Sequence, residues 1–322
     1  MMTTLTKRLI RGVLIGVIAL AALLSGHPTP AAADDVSLFD LRDHPVHLIA
    51  SYYNAIQLQD YARAYAYWRN QPPNGATLQQ YAQGFSDVDT ARALARLPVV
   101  VDVAAGTAHA DVPVVVLTTL KDGGAEIFAG CFHVVKINAP VGDPPVIDPN
   151  WYIDSAEVQP ATSVDFAQAA AACTFVESFP VSWGFDDQSS PLDLISSYYD
   201  AIAVHDFSRA YNYWQTGAPG QTLAEFAQGF AETGNVGVVA ALSFSMGVGA
   251  GSAYASAPLL ITSTDNEVEQ LFVGCMVTRK SNVPVGDSAA PDPHWYLYSA
   301  NIQPVDTLAN GLQQVWDACS DF

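Results

Sequence analysis

An α+β fold, with one helix-then-sheet unit used twice in tandem, is predicted by three features of this 322-residue chain. The first is an internal repeat. Ser51-Tyr52-Tyr53-Asn54-Ala55-Ile56 returns as Ser197-Tyr198-Tyr199-Asp200-Ala201-Ile202, Ala82-Gln83-Gly84-Phe85 as Ala227-Gln228-Gly229-Phe230, and Trp151-Tyr152 as Trp295-Tyr296, always 144 to 146 positions on. That period suits one ordinary domain and is far longer than the roughly 20–50 residues of a solenoid repeat. The second is the order of periodicities within each copy, helical first and strand-like after. The third is a matched pair of cysteines in each copy, Cys131 with Cys173 and Cys275 with Cys319.

Each element has a local cause. Leu48, Tyr52 and Ile56 recur at i, i+4 and i+8, the stripe of an amphipathic helix. Asp60 is placed to cap a second helix, with Tyr61, Ala64, Tyr65 and Trp68 on one face; Asp206, Phe207, Ala210, Tyr211 and Trp214 repeat the pattern. Residues Gln71–Gly75 and Thr216–Gly220 break the chain. Thr77-x-x-Gln80 and Thr222-x-x-Glu225 read as capping boxes opening a third helix, whose buried face is expected at Leu78, Tyr81, Ala82 and Phe85. Strands are expected at 98–104, 110–119 and 125–136, with Asp122-Gly123-Gly124 as the hairpin turn. In the second copy they are expected at 238–248, 252–262 and 267–279, with Asp265-Asn266 at the turn. A Pro-rich loop, a strand carrying Trp151 or Trp295 and a short helix complete each copy. Leu308, Leu312, Val315, Trp316 and Cys319 share one face of the last helix.

The first residues read as an export signal. Lys7, Arg8 and Arg11 precede the apolar run Val13–Leu24, and Ala31-Ala32-Ala33 offers a cleavage site. The run is short for a bilayer span of about 20 residues, so no stable membrane span is expected after cleavage. The boundaries become 1–33 signal peptide, 36–181 first module, 182–190 linker and 191–322 second module. Cleavage removes three basic residues and no acids, leaving 10 Lys and Arg against 32 Asp and Glu. Such a surface excludes nucleic acid, which needs a cationic footprint. Four cysteines in an exported chain read as disulfides. The repeat selects Cys131–Cys173 and Cys275–Cys319 from the three possible pairings. No Cys-x-x-Cys pair is present, and the histidines do not recur between copies, so no metal and no cofactor are expected.

The motif Tyr52-Tyr53-x-Ala55-Ile56-x-x-x-Asp60-Tyr61-x-x-Ala64-Tyr65 resembles the opening of the NTF2-like (cystatin-like fold) superfamily, and its counterpart opens the second copy. The resemblance covers residues 44–175 and 191–322. It implies two tandem cones, each with helices packed on a curved antiparallel sheet. Members of that superfamily serve as ligand cones and as enzymes, including ketosteroid isomerase and polyketide cyclases. By likeness to the isomerase, Tyr52 and Tyr198, eight residues before Asp60 and Asp206, would be hydrogen-bond donors in a pocket; as core tyrosines they would need only a local partner. The isomerase's base is expected after the second helix, where Arg69–Pro73 and Gln215–Ala218 carry no carboxylate. Glu126 and Asp102 are the acids that would have to replace it alongside Tyr52.

Arg63 and Arg209, basic in both copies, are expected to pair with acids of their own copy. Asp143 and Asp148, with Asp287 and Asp292, place two acids in each Pro-rich loop. Without EF-hand spacing they read as turn residues rather than calcium ligands. His44-x-x-His47 has helix spacing, but the second copy has Ser190 and Asp193 there. His133 reads as a packed histidine. No Gly-x-Ser-x-Gly elbow supports a hydrolase.

The function expected is that of an exported, non-catalytic binding protein. Its partner is a small apolar molecule or an envelope protein. Tyr52, Tyr65, Trp68, Tyr81, Tyr198, Tyr211 and Trp214 are the expected aromatic lining. A cofactor-free isomerase, cyclase or dehydratase is the second reading, and a self-associating structural pair is the third.

Overall fold

The computed structural model describes residues 38–70, 72, 75–104, 106–139, 148–174, 184–218, 220–266, 268–284 and 291–321. The signal segment 1–33, Asp143, Asp287 and Trp183 lie outside these residues. The architecture is α+β, and the element order runs twice. The first half is α1 (Pro45–Gln57), α2 (Tyr61–Ala66), α3 (Leu78–Gln83), β1 (Val88–Leu97), β2 (Val101–Ala104), β3 (Thr107–Leu120), β4 (Ala125–Ile137), β5 (Trp151–Ala161) and α4 (Phe166–Ala171). The second is α5 (Pro191–Ala203), α6 (Phe207–Asn212), α7 (Leu223–Gly229), β6 (Thr233–Ala241), β7 (Ser245–Gly249), β8 (Ser252–Asp265), β9 (Val268–Ser281), β10 (Tyr296–Val305) and α8 (Leu308–Val315).

The helix starts follow the sequence signals. Asp60 and Asp206 cap α2 and α6 by accepting the amide protons of Arg63 and Arg209, and both capping boxes are formed. Each carboxylate or hydroxyl satisfies an amide that the first helical turn leaves unpaired. Asp122–Gly124 makes the β3–β4 hairpin, with Gly123 at φ +88°. Asn266, at φ +48°, turns β8 into β9. The arginines are held structurally: Arg63 bonds Asp60, the Phe39 carbonyl, Tyr67 and Asn54, while Arg209 bonds Asp206, the Phe185 carbonyl, Tyr213 and Asp200. Cys131–Cys173 and Cys275–Cys319 are bonded, with Cα atoms 5.2 and 5.0 Å apart. Each bridge pins the end of α4 or α8 to β4 or β9, the strand next to each edge of the sheet.

Several expectations need correction. The strand expected over 98–104 starts only at Val101 as β2, and residues 88–97, where no element is expected, form β1 although Ala, Arg and Leu favour helix; pairing on both sides overrides that propensity. The strand expected over 238–248 is two strands, β6 and β7, separated at Leu242–Phe244. Leu78, expected inside, is 43% exposed, and no residue of α3 is fully buried. Residues 184–190, expected as linker, are bound to the second half. Asp186 accepts the Tyr213 hydroxyl, Asp187 exchanges bonds with Ser197, and the Gln188 carbonyl accepts the Trp295 amide.

The two halves share one ten-stranded sheet, ordered β10-β9-β8-β6-β1-β3-β4-β5, with β2 on β3 and β7 on β8. The join is an antiparallel pairing of β1 with β6, from Leu94↔Ala241 to Leu97↔Val238. At this seam the pleat sorts side chains to two faces. Ala95, Leu97, Val238 and Ala240 turn towards α1 and α5 in one cluster that runs through both halves. Leu94, Val239 and Ala241 turn the other way, under Val315 of α8.

The helix N-termini meet across the seam. His44, the N-cap of α1, sets Nε2 3.3 Å from the Asp193 carboxylate of α5, and Asp193 also accepts the Ser190 hydroxyl. With His44 neutral, Nε2–H donates to Asp193 while Nδ1 accepts the Val46 amide; protonation exchanges that cap for a full ion pair. Burial opposes charge on His44, but Asp193, with Asp43 and Asp187, outweighs it and raises its pKa above 6.5. Burial also opposes charge on Asp193, yet His44 and Ser190 hold its pKa below 3.8. The stabilisation from charged His44 is complete below its unfolded pKa and is lost as pH rises through its raised folded value. Asp193→Ala is therefore expected to destabilise the protein by about 1–3 kcal/mol. The loss should be greater at about pH 6 than at about pH 9, measured by urea denaturation at each pH.

Candidate functional site

The first half holds a pocket of about 440 Å³, open to solvent, between its helices and sheet. Helix α1 supplies Tyr52 and Tyr53, the chain after α2 supplies Trp68, and α3 supplies Tyr81. Phe132 of β4 and Ala156, Val158 and Gln159 of β5 form the sheet side, with Pro72 and Ala76 on the connecting loop. Local bonds fix these parts. Trp68 bridges to Ile153, whose carbonyl accepts the Arg69 amide and whose amide donates to Tyr67. The Tyr65 hydroxyl donates to the Ala76 carbonyl, closing the loop below α3. Gly130 lets β5 lie against β4, since a Cβ there would run into the Glu157 carbonyl and Val158.

Three polar tips converge among the aromatic rings, with Gln159 adding a polar residue on the sheet side. The Tyr81 hydroxyl donates to the Tyr52 hydroxyl at 2.9 Å. Tyr52 thus keeps its own proton to give. Trp68 Nε1 is buried close to the Tyr52 and Tyr81 hydroxyls but makes no full hydrogen bond to either. An indole N–H can only donate, and a buried donor without an acceptor is costly. Burial, partly offset by Tyr81 and Trp68, pushes the Tyr52 hydroxyl up to about 12, so it is a neutral donor at ordinary pH. Burial and the neighbouring Tyr52 push Tyr81 higher still. Among the described residues, no carboxylate, imidazole, ammonium or guanidinium lines the space.

Of the expected aromatic lining, Tyr52, Trp68 and Tyr81 come together at the cavity. Tyr65 stands behind Tyr81, with ring centroids 5.5 Å apart. In the second half Tyr198 and Trp214 take the matching places, and Trp214 Nε1 again makes no full hydrogen bond. There Phe226 replaces Tyr81, is 3% exposed, and packs on Tyr198 and Tyr211. The aromatic cluster of that half reads as core rather than lining. The proposed acids do not join Tyr52. Glu126 is exposed near the hairpin end of β4, opposite Thr118, and Asp102 pairs with His109 on the sheet face away from the cavity. Asp148 and Asp292 accept hydroxyl protons from Tyr152 and Tyr296 within their own loops.

Sequence reasoning missed Tyr53, Phe132 and the β5 residues of the cavity. Alternation along β4 places Phe132 and Val134 on one face, but the choice of face depends on where α1 lands. A second cavity of about 360 Å³ lies at the seam, between β1, α5, β6 and β8, with Arg96, Tyr199, Asp200 and Thr262 in its walls. Among the described residues, the grouping of three metal-type ligand atoms is Asp111 with the sulfurs of Cys131 and Cys173, which the disulfide already uses.

No family model matches the chain, and no curated protein matches it. Among solved structures it is similar to an "Ntf2 like protein involved in plasmid conjugation", with 10% identity over 81% of this chain and 99% of that chain. The TM-score of 0.20 is too low for that likeness to carry an argument.

Tyr81→Phe removes the donor that the buried Tyr52 oxygen accepts. Its expected cost is about 0.5–1.5 kcal/mol, seen as a lower denaturation midpoint with an unchanged slope.

Proposed function

We propose that the chain is an exported binding protein of two NTF2-like modules, whose first module holds a compact apolar molecule bearing a hydrogen-bond acceptor. A cyclic ketone, ester or lactone is the ligand class. The observation that carries this reading is a 440 Å³ aromatic pocket in which Tyr52 and Trp68 present buried donors and no acid or base stands among the described lining residues. A ligand carbonyl would accept from both, and the rings would cover its apolar body. The volume falls in the range of small-molecule sites, roughly 300–1,000 Å³. Absence of a carboxylate from the lining favours binding over proton-transfer catalysis. The second module, with Phe226 in place of a tyrosine, acts as support for the first. Export is favoured by the two disulfides and the acidic composition; no helix among the described residues is long and apolar enough to cross a membrane.

The test is a titration of the full chain with cyclic ketones, lactones and hydrocarbons of equal size, followed by tryptophan fluorescence and calorimetry. Acceptor-bearing probes should bind more tightly than matched hydrocarbons. Tyr52→Phe should weaken them about five-fold, the worth of one neutral hydrogen bond, and leave hydrocarbon binding unchanged. Binding that survives Ala156→Trp, which fills the cavity, would place the ligand elsewhere and end the proposal.

A further inference from the structure

We infer that the second cavity, at the seam between the halves, is a binding site for a neutral, hydroxyl-rich ring, the chemistry of a sugar. Its volume of about 360 Å³ falls within the small-molecule range. It lies where two paired strands part. The seam ladder stops at Leu97↔Val238. Beyond it β6 pairs on one side only, with β8, through Val236↔Ser263 and Gly237↔Thr262. Successive residues of an antiparallel strand turn their amides and carbonyls to opposite sides. The Leu242 amide turns to β1, where it donates to Ala93. Counting back from it in steps of two, the amide and carbonyl of Val236 turn the same way. They face the pocket with no strand opposite them among the described residues.

The side chains around that edge suit hydroxyl groups. Tyr199 of α5 stands in the wall, 9% exposed, and its hydroxyl has no hydrogen-bond partner among the described residues. A buried hydroxyl left without a partner is costly. Burial, with Tyr198 beside it, pushes the Tyr199 pKa well above 10, so it keeps its proton to donate. Ser263 and the Asn235 amide both donate and accept, and Glu269 accepts. Leu97, Pro98 and Val238 give an apolar bed. A sugar hydroxyl gives one proton and takes others, so it needs donors and acceptors side by side. The C–H face of the ring needs the apolar bed. Charge argues for a neutral guest. Asp200 and Glu269 stand in the walls with Arg96, and Asp200 already accepts from the Arg209 guanidinium. An anion would meet the carboxylates, and a cation would meet Arg96.

At the matching place in the first half, side chains satisfy one another. Where β6 has Gly237, β1 has Arg92, which pairs with Leu117 and lays its guanidinium over the Trp316 ring, 5.5 Å from its centroid. Gly237 brings no side chain, and Thr262 leans into the space so closely that a Cβ there would stand 2.6 Å from its Oγ1. Where β6 has Asn235, β1 has Thr90, whose hydroxyl is bonded to Thr119 at 2.6 Å. In the second half Thr264 takes the backbone amide of Asn235 instead, and the Asn235 side chain is left to the pocket. Glu269, opposite Thr264, replaces Ala125, opposite Thr119. The same strands therefore form without the groups that line the pocket. Those groups come from three strands and a helix, which is why no spacing in the sequence announces them.

The test titrates the full chain with the methyl glycosides of glucose, galactose, mannose and N-acetylglucosamine, with their trisaccharides, and with cyclohexylmethanol as apolar control. Binding is followed by NMR. A glycoside is expected to move the amide signals of Val236 and Gly237 and to leave those around Tyr52 in place, while cyclohexylmethanol moves neither. Tyr199→Phe should weaken that glycoside about five-fold, the worth of one neutral hydrogen bond. Its denaturation midpoint should be unchanged or higher, because the hydroxyl it removes has no partner in the fold. The trisaccharide separates the sources: tighter binding than the glycoside assigns the site to the end of a polysaccharide, equal or weaker binding to a free sugar. Failure of every sugar to move the Val236 and Gly237 amides at millimolar concentration would overturn the proposal without any variant. Binding that survives folded Ala203→Trp, which fills the pocket, would do the same. Tyr52→Phe should leave glycoside binding unchanged, so this site and the pocket of the first half fail independently.

Discussion

The short antiparallel ladder between Leu94–Leu97 and Val238–Ala241 governs the rest of this molecule. A sheet edge exposes unpaired amides and carbonyls, and the usual remedies are charge, proline, bulges or a cover. Here each half's inner edge is the cover for the other. Pairing fixes the register, and the register decides which side chains enter the core that α1 and α5 cover. It also brings the first turns of those helices close enough for His44 to reach Asp193. The amide of Leu242 extends the ladder by donating to Ala93, and Phe244 packs against Phe39 and His47 just beyond.

Given that frame, the halves differ where packing allows. At one position Tyr81 keeps a hydroxyl beside Tyr52, while Phe226 is fully buried in the corresponding cluster. The backbone of both helices is set by the same capping box, so the difference is confined to a side chain. Likewise Asp111 and His133 stand where Ser256 and Val277 suffice. Duplication supplies two scaffolds of equal geometry, and polar side chains at these places in the first half are what the second lacks.

Much of the fold was legible because its causes are local. Asp60, Thr77 with Gln80, Gly123 and the alternating strands act over a few residues, and the repeat doubled each signal. The disulfides were legible because a repeat selects their pairing. What stayed hidden depends on contacts distant in sequence. Val88–Leu97 has helix-forming residues and becomes a strand only through two neighbours. The repeat sets His44 against Ser190 and His47 against Asp193, which conceals that the seam makes His44 and Asp193 partners. Aligning His133 with Val277 made it an isolated residue, whereas cross-strand register sets it beside Asp111 and His109. The cavity was partly legible: Tyr52, Trp68 and Tyr81 follow from helical faces, while Phe132 and Val158 depend on how closely β5 crosses Gly130.

The distance along the chain between Leu94 and Ala241 has its own consequence. Closing so long a loop carries an entropic cost that only the finished ladder and core repay. A ribosome makes the first half before any residue of β6 exists, so β1 leaves synthesis with one flank unmatched. For that interval the newborn polypeptide offers a bare strand to any neighbour able to zip onto it. Crowded translation of many copies is then the moment at which this protein is most exposed to mispairing, and the arrival of residues 238–241 is what ends it.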